Sequence, residues 1–302
     1  MLHSNSSGDA KNTTTSTAAS DIASANDKGP VTVITQDPSC SAWEAIGKAF
    51  ATSTHNGWGQ RDPSIPATAW TPEQRSQYEA VGQAMRTAAD QTVPLAKLTP
   101  HRVMRELYEQ FIAYAREYAD HISNYAPPDD RLAGVANSTA SALGAICDSV
   151  AFDAAARRGP LVSPSLQPSQ TASPGDLANP QRFLTSANIV CKDWSSAYLQ
   201  FDDETETFRS QNLNIPASQW TPDQTSASQA AASKMTAFAD KADQLGQRSG
   251  NPELEDFAAL SAQYYRAFVV AVPSYVLADS YLEAAGAYSA LTIRAACQVV
   301  GD

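Results

Sequence analysis

The sequence predicts an all-α chain: a tandem repeat of two disulfide-closed four-helix bundles behind a disordered N-terminal spacer. Three observations carry that prediction. The ten residues Ile65–Gln74 (IPATAWTPEQ) return 150 positions later as Ile215–Gln224 (IPASQWTPDQ), so the chain says one thing twice. Four cysteines fall at equivalent places, with Cys40 and Cys191 each three residues before a tryptophan and Cys147 and Cys297 at the far ends. Apolar residues recur at helical spacing, and Val31–Thr35 is the one candidate for extended structure. The implied division is a spacer over 1–28, a first bundle over 29–157, a Pro-rich linker over 158–179 and a second bundle over 180–302.

The first 28 residues are rich in Ser, Thr, Ala and Asn, with too few apolar side chains to offset the entropy of ordering. Such a composition suits a flexible spacer ahead of a folded body. In each unit the first helix follows its first cysteine. Trp43, Ile46 and Phe50 make its apolar stripe in one copy, and Trp194, Ala197 or Tyr198, and Phe201 in the other. The repeated decapeptide then starts the second helix. Thr71 is placed as N-cap, Pro72 at the first helical position and Gln74 as the partner in a capping box, and Thr221, Pro222 and Gln224 repeat the arrangement. The decapeptide therefore reads as a helix start rather than an active site.

Tyr78, Val81, Met85, Ala89 and Thr92 form one face of that second helix. The third is expected to open at Thr99-Pro100 and at Asn251-Pro252, each a cap followed by proline. Its stripe is Val103, Leu107, Phe111, Ala115, Tyr118 and Ile122. The fourth carries Leu132, Val135, Thr139, Leu143, Ile146 and Val150, and its twin Leu282, Ala285, Ser289, Ile293, Ala296 and Val300. Four alternating helices return the chain to the end where it began. Of the three pairings that four cysteines allow, Cys40–Cys147 with Cys191–Cys297 respects both the repeat and that geometry. Disulfides imply an oxidising compartment. No leader opens the chain, which leads to the expectation of an export or anchor segment ahead of Met1.

Composition excludes several functions. Net charge is −11, distributed as −2 over 1–39, −3 over 40–150, +1 over 151–190 and −7 over 191–302. No basic stripe suits nucleic acid or an anionic membrane surface. The sequence holds no phosphate loop, nucleophile elbow or His-Glu-x-x-His stretch. The expectation is no catalytic residue, no cofactor and no metal. The four histidines (His3, His55, His101, His121) all precede the second unit, where Ala267 and Ala271 stand opposite Glu117 and His121. Asp202–Glu206 lacks the glycine and ligand alternation of a calcium loop and reads as a solvated acidic loop.

Two pairs remain as candidate binding residues. Trp58, between Gly57 and Gly59, is either an exposed anchor or a core plug, and its match to Phe208 favours the plug. Arg116 and Arg266, each flanked by tyrosines, either line a pocket or tie a helix to a nearby carboxylate. The Ser/Thr-rich leader, the run Gly29–Trp43 (GPVTVITQDPSCSAW) and the alanine-rich helices with Trp-Thr-Pro-Glu-Gln together resemble extracytoplasmic regions of single-pass membrane proteins from mycobacteria and related actinobacteria. The resemblance implies a cell-envelope location and no particular activity. The leading expectation is a non-enzymatic ectodomain that binds another envelope or membrane protein. A module for a small apolar or lipid ligand within a bundle is the alternative, and a sensor ectodomain comes third.

Overall fold

Thr71 accepts a hydrogen bond from the Gln74 amide at 3.2 Å while the Gln74 side chain accepts from the Thr71 amide at 2.9 Å. Thr221 and Gln224 form the same two bonds at the same distances. Each capping box satisfies two donors that a helix start otherwise leaves unpaired. Replacing Thr71 by Ala is expected to cost about 1 kcal/mol of stability, read as a lower urea midpoint with an unchanged slope.

The computed structural model describes residues 21–53 and 57–301. Within them the chain is all-helical, and no strand is formed among the described residues. Ten α-helices follow in order: α1 (Cys40–Ser53), α2 (Pro72–Leu98), α3 (Arg102–His121), α4 (Asp130–Ala151), α5 (Ala154–Arg158), α6 (Cys191–Glu204), α7 (Glu206–Arg209), α8 (Pro222–Arg248), α9 (Pro252–Ala271) and α10 (Ser280–Val299). Disulfides join Cys40 to Cys147 and Cys191 to Cys297, the first linking α1 to α4 and the second α6 to α10.

Matched segments make matched bonds. The Trp70 indole donates to the Ile65 carbonyl at 2.9 Å and the Trp220 indole to that of Ile215 at 3.2 Å. Tyr125 and Tyr275 each donate their hydroxyl at 2.8 Å, to the carbonyls of Pro63 and Leu213. The stripes of α2, α3, α4 and α10 face the core as their spacing requires; only Val150 and Val300 are half-exposed.

The two halves meet most extensively through α4 and α10. These run antiparallel: Arg131 at the start of α4 donates to the Gln298 carbonyl at 2.6 Å, and Phe152 just past its end stacks on Tyr281 at 5.2 Å between centroids. Midway, the Thr292 hydroxyl donates to that of Ser138 at 3.2 Å. Ala133, Ala136, Ala285 and Ala290 are fully buried, and such small side chains allow two helices to pack closely.

Four expectations change. The body begins earlier than residue 29: the Ala23 amide donates to the Lys97 carbonyl at 2.9 Å and Ser24 is buried. Residues 1–20 of the expected spacer lie outside the described residues. The segment 158–179 is not a free connector, because Leu177 is buried and α3 and α9 hold the chain along its length. Helix α3 starts at Arg102, two residues after Thr99-Pro100. Thr99 instead ends α2 and donates its hydroxyl to Asp37 at 2.5 Å, whereas Asn251 caps α9 as expected, accepting from the Leu254 amide at 3.0 Å. The acidic stretch 202–206 is mostly helical, with Glu204 paired to Lys234 at 3.2 Å and Asp202 to Arg209 at 3.1 Å.

Candidate functional site: a buried charged junction between α3 and α9

On α3 every residue from Arg102 to Ile112 is buried, so the face opposite the apolar stripe is enclosed as well. That face carries Arg102, Arg105, Glu106, Glu109 and Gln110. Against it lies the first turn of α9 with Glu253, Glu255 and Asp256. Over both runs the segment 163–181, a strap between the halves.

Arg102 is fully engaged. Its Nε and Nη2 donate to the two oxygens of Asp256 at 2.6 and 2.8 Å, a bidentate pair between the halves. Its Nη1 donates to the Asp27 carbonyl at 2.9 Å and to that of Gly29 at 3.2 Å, which ties the N-terminal arm to the same place. Arg105 is not so well served. Its Nη2 donates to Glu106 at 3.1 Å and reaches the strap's Ala172 carbonyl at 3.4 Å, while Nε and Nη1 lack hydrogen-bond partners. Glu109 lies 3.5 Å from Arg105 Nε, and the second oxygen of Glu106 is unpaired.

Gln110 and Glu255 fasten the strap. The Gln110 amide nitrogen donates to Glu253 at 2.7 Å and to the Gln181 carbonyl at 3.1 Å, and its oxygen accepts from the Phe183 amide at 3.0 Å. Glu255 accepts from the Ser169 amide at 3.1 Å and from its hydroxyl at 2.6 Å. Burial raises the carboxyl of Glu106 well above its ordinary range, with Asp256 and Glu253 adding to the effect. Burial pushes Glu109 up to about 7 against the pull of Arg105, and pushes Glu253 up to about 8 with help from Glu109. Burial therefore favours the protonated form of all three carboxyls.

The residues singled out by sequence lie elsewhere and do not converge. Trp58 is buried edge-on to Tyr78, with the Arg61 guanidinium 3.8 Å from its ring centroid. Phe208 is buried against Phe268. Neither ring offers a face to a partner, which corrects the anchor reading. Arg116 pairs with Asp90 at 2.6 Å and donates to the Ala178 carbonyl. Arg266 pairs with Asp240 at 2.7 Å and Asp243 at 2.8 Å, so both arginines tie helices to neighbouring carboxylates. Arg266 also borders an open apolar groove of about 480 Å³ that contains Leu161, Leu166, Val269 and Val270. His101 meets the Gln36 carbonyl at 3.0 Å and His121 meets Asp129 at 2.8 Å; His3 and His55 lie outside the described residues. Among the described residues no group of three or more acidic, histidine or cysteine side chains is placed to hold a metal ion.

The sequence matches the mycobacterial ESX-1 associated protein family over residues 22–301. The chain belongs to that family. An uncharacterised protein of Mycolicibacterium smegmatis (strain MKD8) is 47% identical over 287 residues, covering 95% of this chain and 76% of that protein. No solved structure matches. The family match begins at residue 22, close to where the N-terminal arm first bonds to α2. Its bounds take in the strap and both disulfides, so the strapped junction lies wholly within the matched region. No helix among the described residues is long and apolar enough to cross a membrane.

The junction escaped sequence reading because Arg102–Gln110 looks like the solvated side of an amphipathic helix. One signal was available. At the 150-residue offset Arg105 aligns with Glu255 and Glu106 with Asp256, so the first half carries a mixed-charge helix start where the second is purely acidic.

Proposed function

We propose that this protein is a non-enzymatic, extracytoplasmic component associated with the ESX-1 secretion system, acting by binding another protein of that system. The observation that carries the reading is the family match across residues 22–301. The two disulfides support an oxidising location, since reducing compartments do not maintain such bonds in structural roles. The charge of −7 over residues 191–302 favours a basic partner surface. Attachment to the membrane through an anchoring segment belongs to the same proposal, as does the reading of the two halves as copies of one four-helix unit.

Affinity capture from gently extracted envelopes of the native host tests the proposal. A stoichiometric complex with an ESX-1 component is the expected result, and recovery of free monomer alone would overturn it. A second reading is favoured by the groove beside Arg266, whose Leu161, Leu166, Val269 and Val270 suit an apolar ligand. Native mass spectrometry separates the two: a co-purifying lipid, lost on Val270→Asp, would support the ligand.

A further inference from the structure

The junction holds more acid than base. Arg102 is committed to Asp256 and the N-terminal arm and borders Glu106 only at 4.0 Å, so Arg105 is the guanidinium that faces both Glu106, at 3.1 Å, and Glu109, at 3.5 Å. Glu253 closes on the same cluster from α9 through Gln110. The strap brings no cation to this cluster, only the Ala172 carbonyl and Ser169, and Ser169 is bonded to Glu255. Asp27 of the arm lies 3.6 Å from Arg102. From α8, Asp243 is already paired with Arg266, and further out along α3 Glu117 is paired with Arg182, above Tyr114. Two buried nitrogens of Arg105 and one oxygen each of Glu106 and Glu109 are unbonded, so the cluster is under-satisfied as it stands.

We propose that the α3–α9 junction is a proton-operated latch. While Glu109 and Glu253 hold protons, α3, the first turn of α9 and residues 163–181 stay closed on one another, and ionisation of these carboxyls releases the strap. The same residues serve as sensor and fastener: Glu253 shares Gln110 with the strap's Gln181, and Glu109 shares Arg105 with the strap's Ala172. Once ionised, Glu106, Glu109, Glu253 and Asp256 would set four carboxylates against two guanidiniums, Arg102 and Arg105, where water screens them weakly.

Both groups sit above the ordinary carboxyl value in the closed form, at about 7 and about 8. Their stabilisation of the closed form is therefore complete below roughly pH 4.5 and is lost as pH rises through those values. The cluster titrates as a set, and opening should become up to about tenfold easier per pH unit for each proton released. The latch is independent of which partner the protein binds.

Hydrogen exchange on the intact, disulfide-bonded chain at pH 5.5 and 8.5, corrected for intrinsic rates, tests this. Opening of peptides from 163–181 should rise at least about tenfold at the higher pH, while the middle of α2 changes little. Glu283 of α10, half-buried, is also pushed up to about 7 by burial against the pull of Arg209, so α10 is not a suitable reference. Combining Glu109→Gln with Glu253→Gln should keep the strap closed at pH 8.5. If that pair of changes prevents folding, either single change should still reduce the slope by about one proton. Strap exchange that is independent of pH, or that rises equally in α2, would overturn the proposal. So would an unaltered slope in the variants.

Discussion

Replacing Cys191 and Cys297 by Ala should destabilise the protein by about 4–5 kcal/mol, and doing the same at Cys40 and Cys147 should cost a similar amount. The bonds close separations of 106 and 107 residues, and cross-links over such lengths remove the most freedom from the unfolded chain. Against a usual stability of about 5–15 kcal/mol, losing both is enough to leave much of the chain unfolded at 37 °C. The first cysteine of each pair opens α1 or α6, the first helix of its half, and the second lies in α4 or α10, the last long helix. Each bond therefore fixes how far the ends of its half can separate. Urea melts of the two paired variants and the parent would measure this. Midpoints shifted by less than the equivalent of about 1 kcal/mol would show that the unfolded chain is not the state these bonds act on.

How much could be read from sequence depended on which surface a residue was assumed to face. Tyr78, Val81 and Met85 were legible because α2 is buried on one side, and a single stripe at helical spacing describes that condition. The capping boxes were legible because their chemistry is local: threonine, proline and glutamine lie within four positions. The cysteines were legible because helix count and repeat together limit which ends can meet. Helix α3 defeated the same method. Its first half, Arg102–Ile112, is enclosed on both sides, and the charged side is compensated by residues about 150 positions away, as with Arg102 and Asp256. Periodicity carries no information about such a partner.

The Pro-rich strap was misread for a related reason. Prolines at 160, 164, 168 and 174 stop a helix forming but leave carbonyls free to accept hydrogen bonds. Arg105, Gln110 and Arg116, all on α3, take the carbonyls of Ala172, Gln181 and Ala178 in that way. A segment with the composition of a linker thus becomes a clasp because a neighbouring helix supplies donors. The anchoring side chains are long and polar, and their spacing along α3 gives no sign that a distant segment accepts their hydrogen bonds. The candidate site and the strap were missed together because each is the other's partner.

Replacing Arg102 by Met should cost about 3–5 kcal/mol, the largest effect expected from one side chain here. Asp256 is 1% exposed and takes both its strong bonds from that guanidinium, so the change strands a carboxylate in the interior. The Arg102→Met, Asp256→Leu pair should recover most of the loss, because two apolar groups of matching volume remove the buried charge along with its partner. Measured as a double-mutant cycle in urea, the coupling should exceed about 2 kcal/mol. Additive midpoints would show that Asp256 finds water or a proton without rearrangement. The single change should also loosen the N-terminal arm, since Arg102 donates to the carbonyls of both Asp27 and Gly29. The paired change would restore the α3–α9 contact without returning a donor to the Asp27 and Gly29 carbonyls. Protection of residues 23–31 from exchange in the two variants therefore separates the arginine's role between the halves from its role as anchor for the arm. If the arm stays protected in both variants, the bonds that do not use the guanidinium (Ala23 to Lys97, the Arg102 amide to Asp27, Val31 to Ser165 and Gln167 to Lys28) are sufficient to hold it, and the Arg102 side chain serves the junction alone.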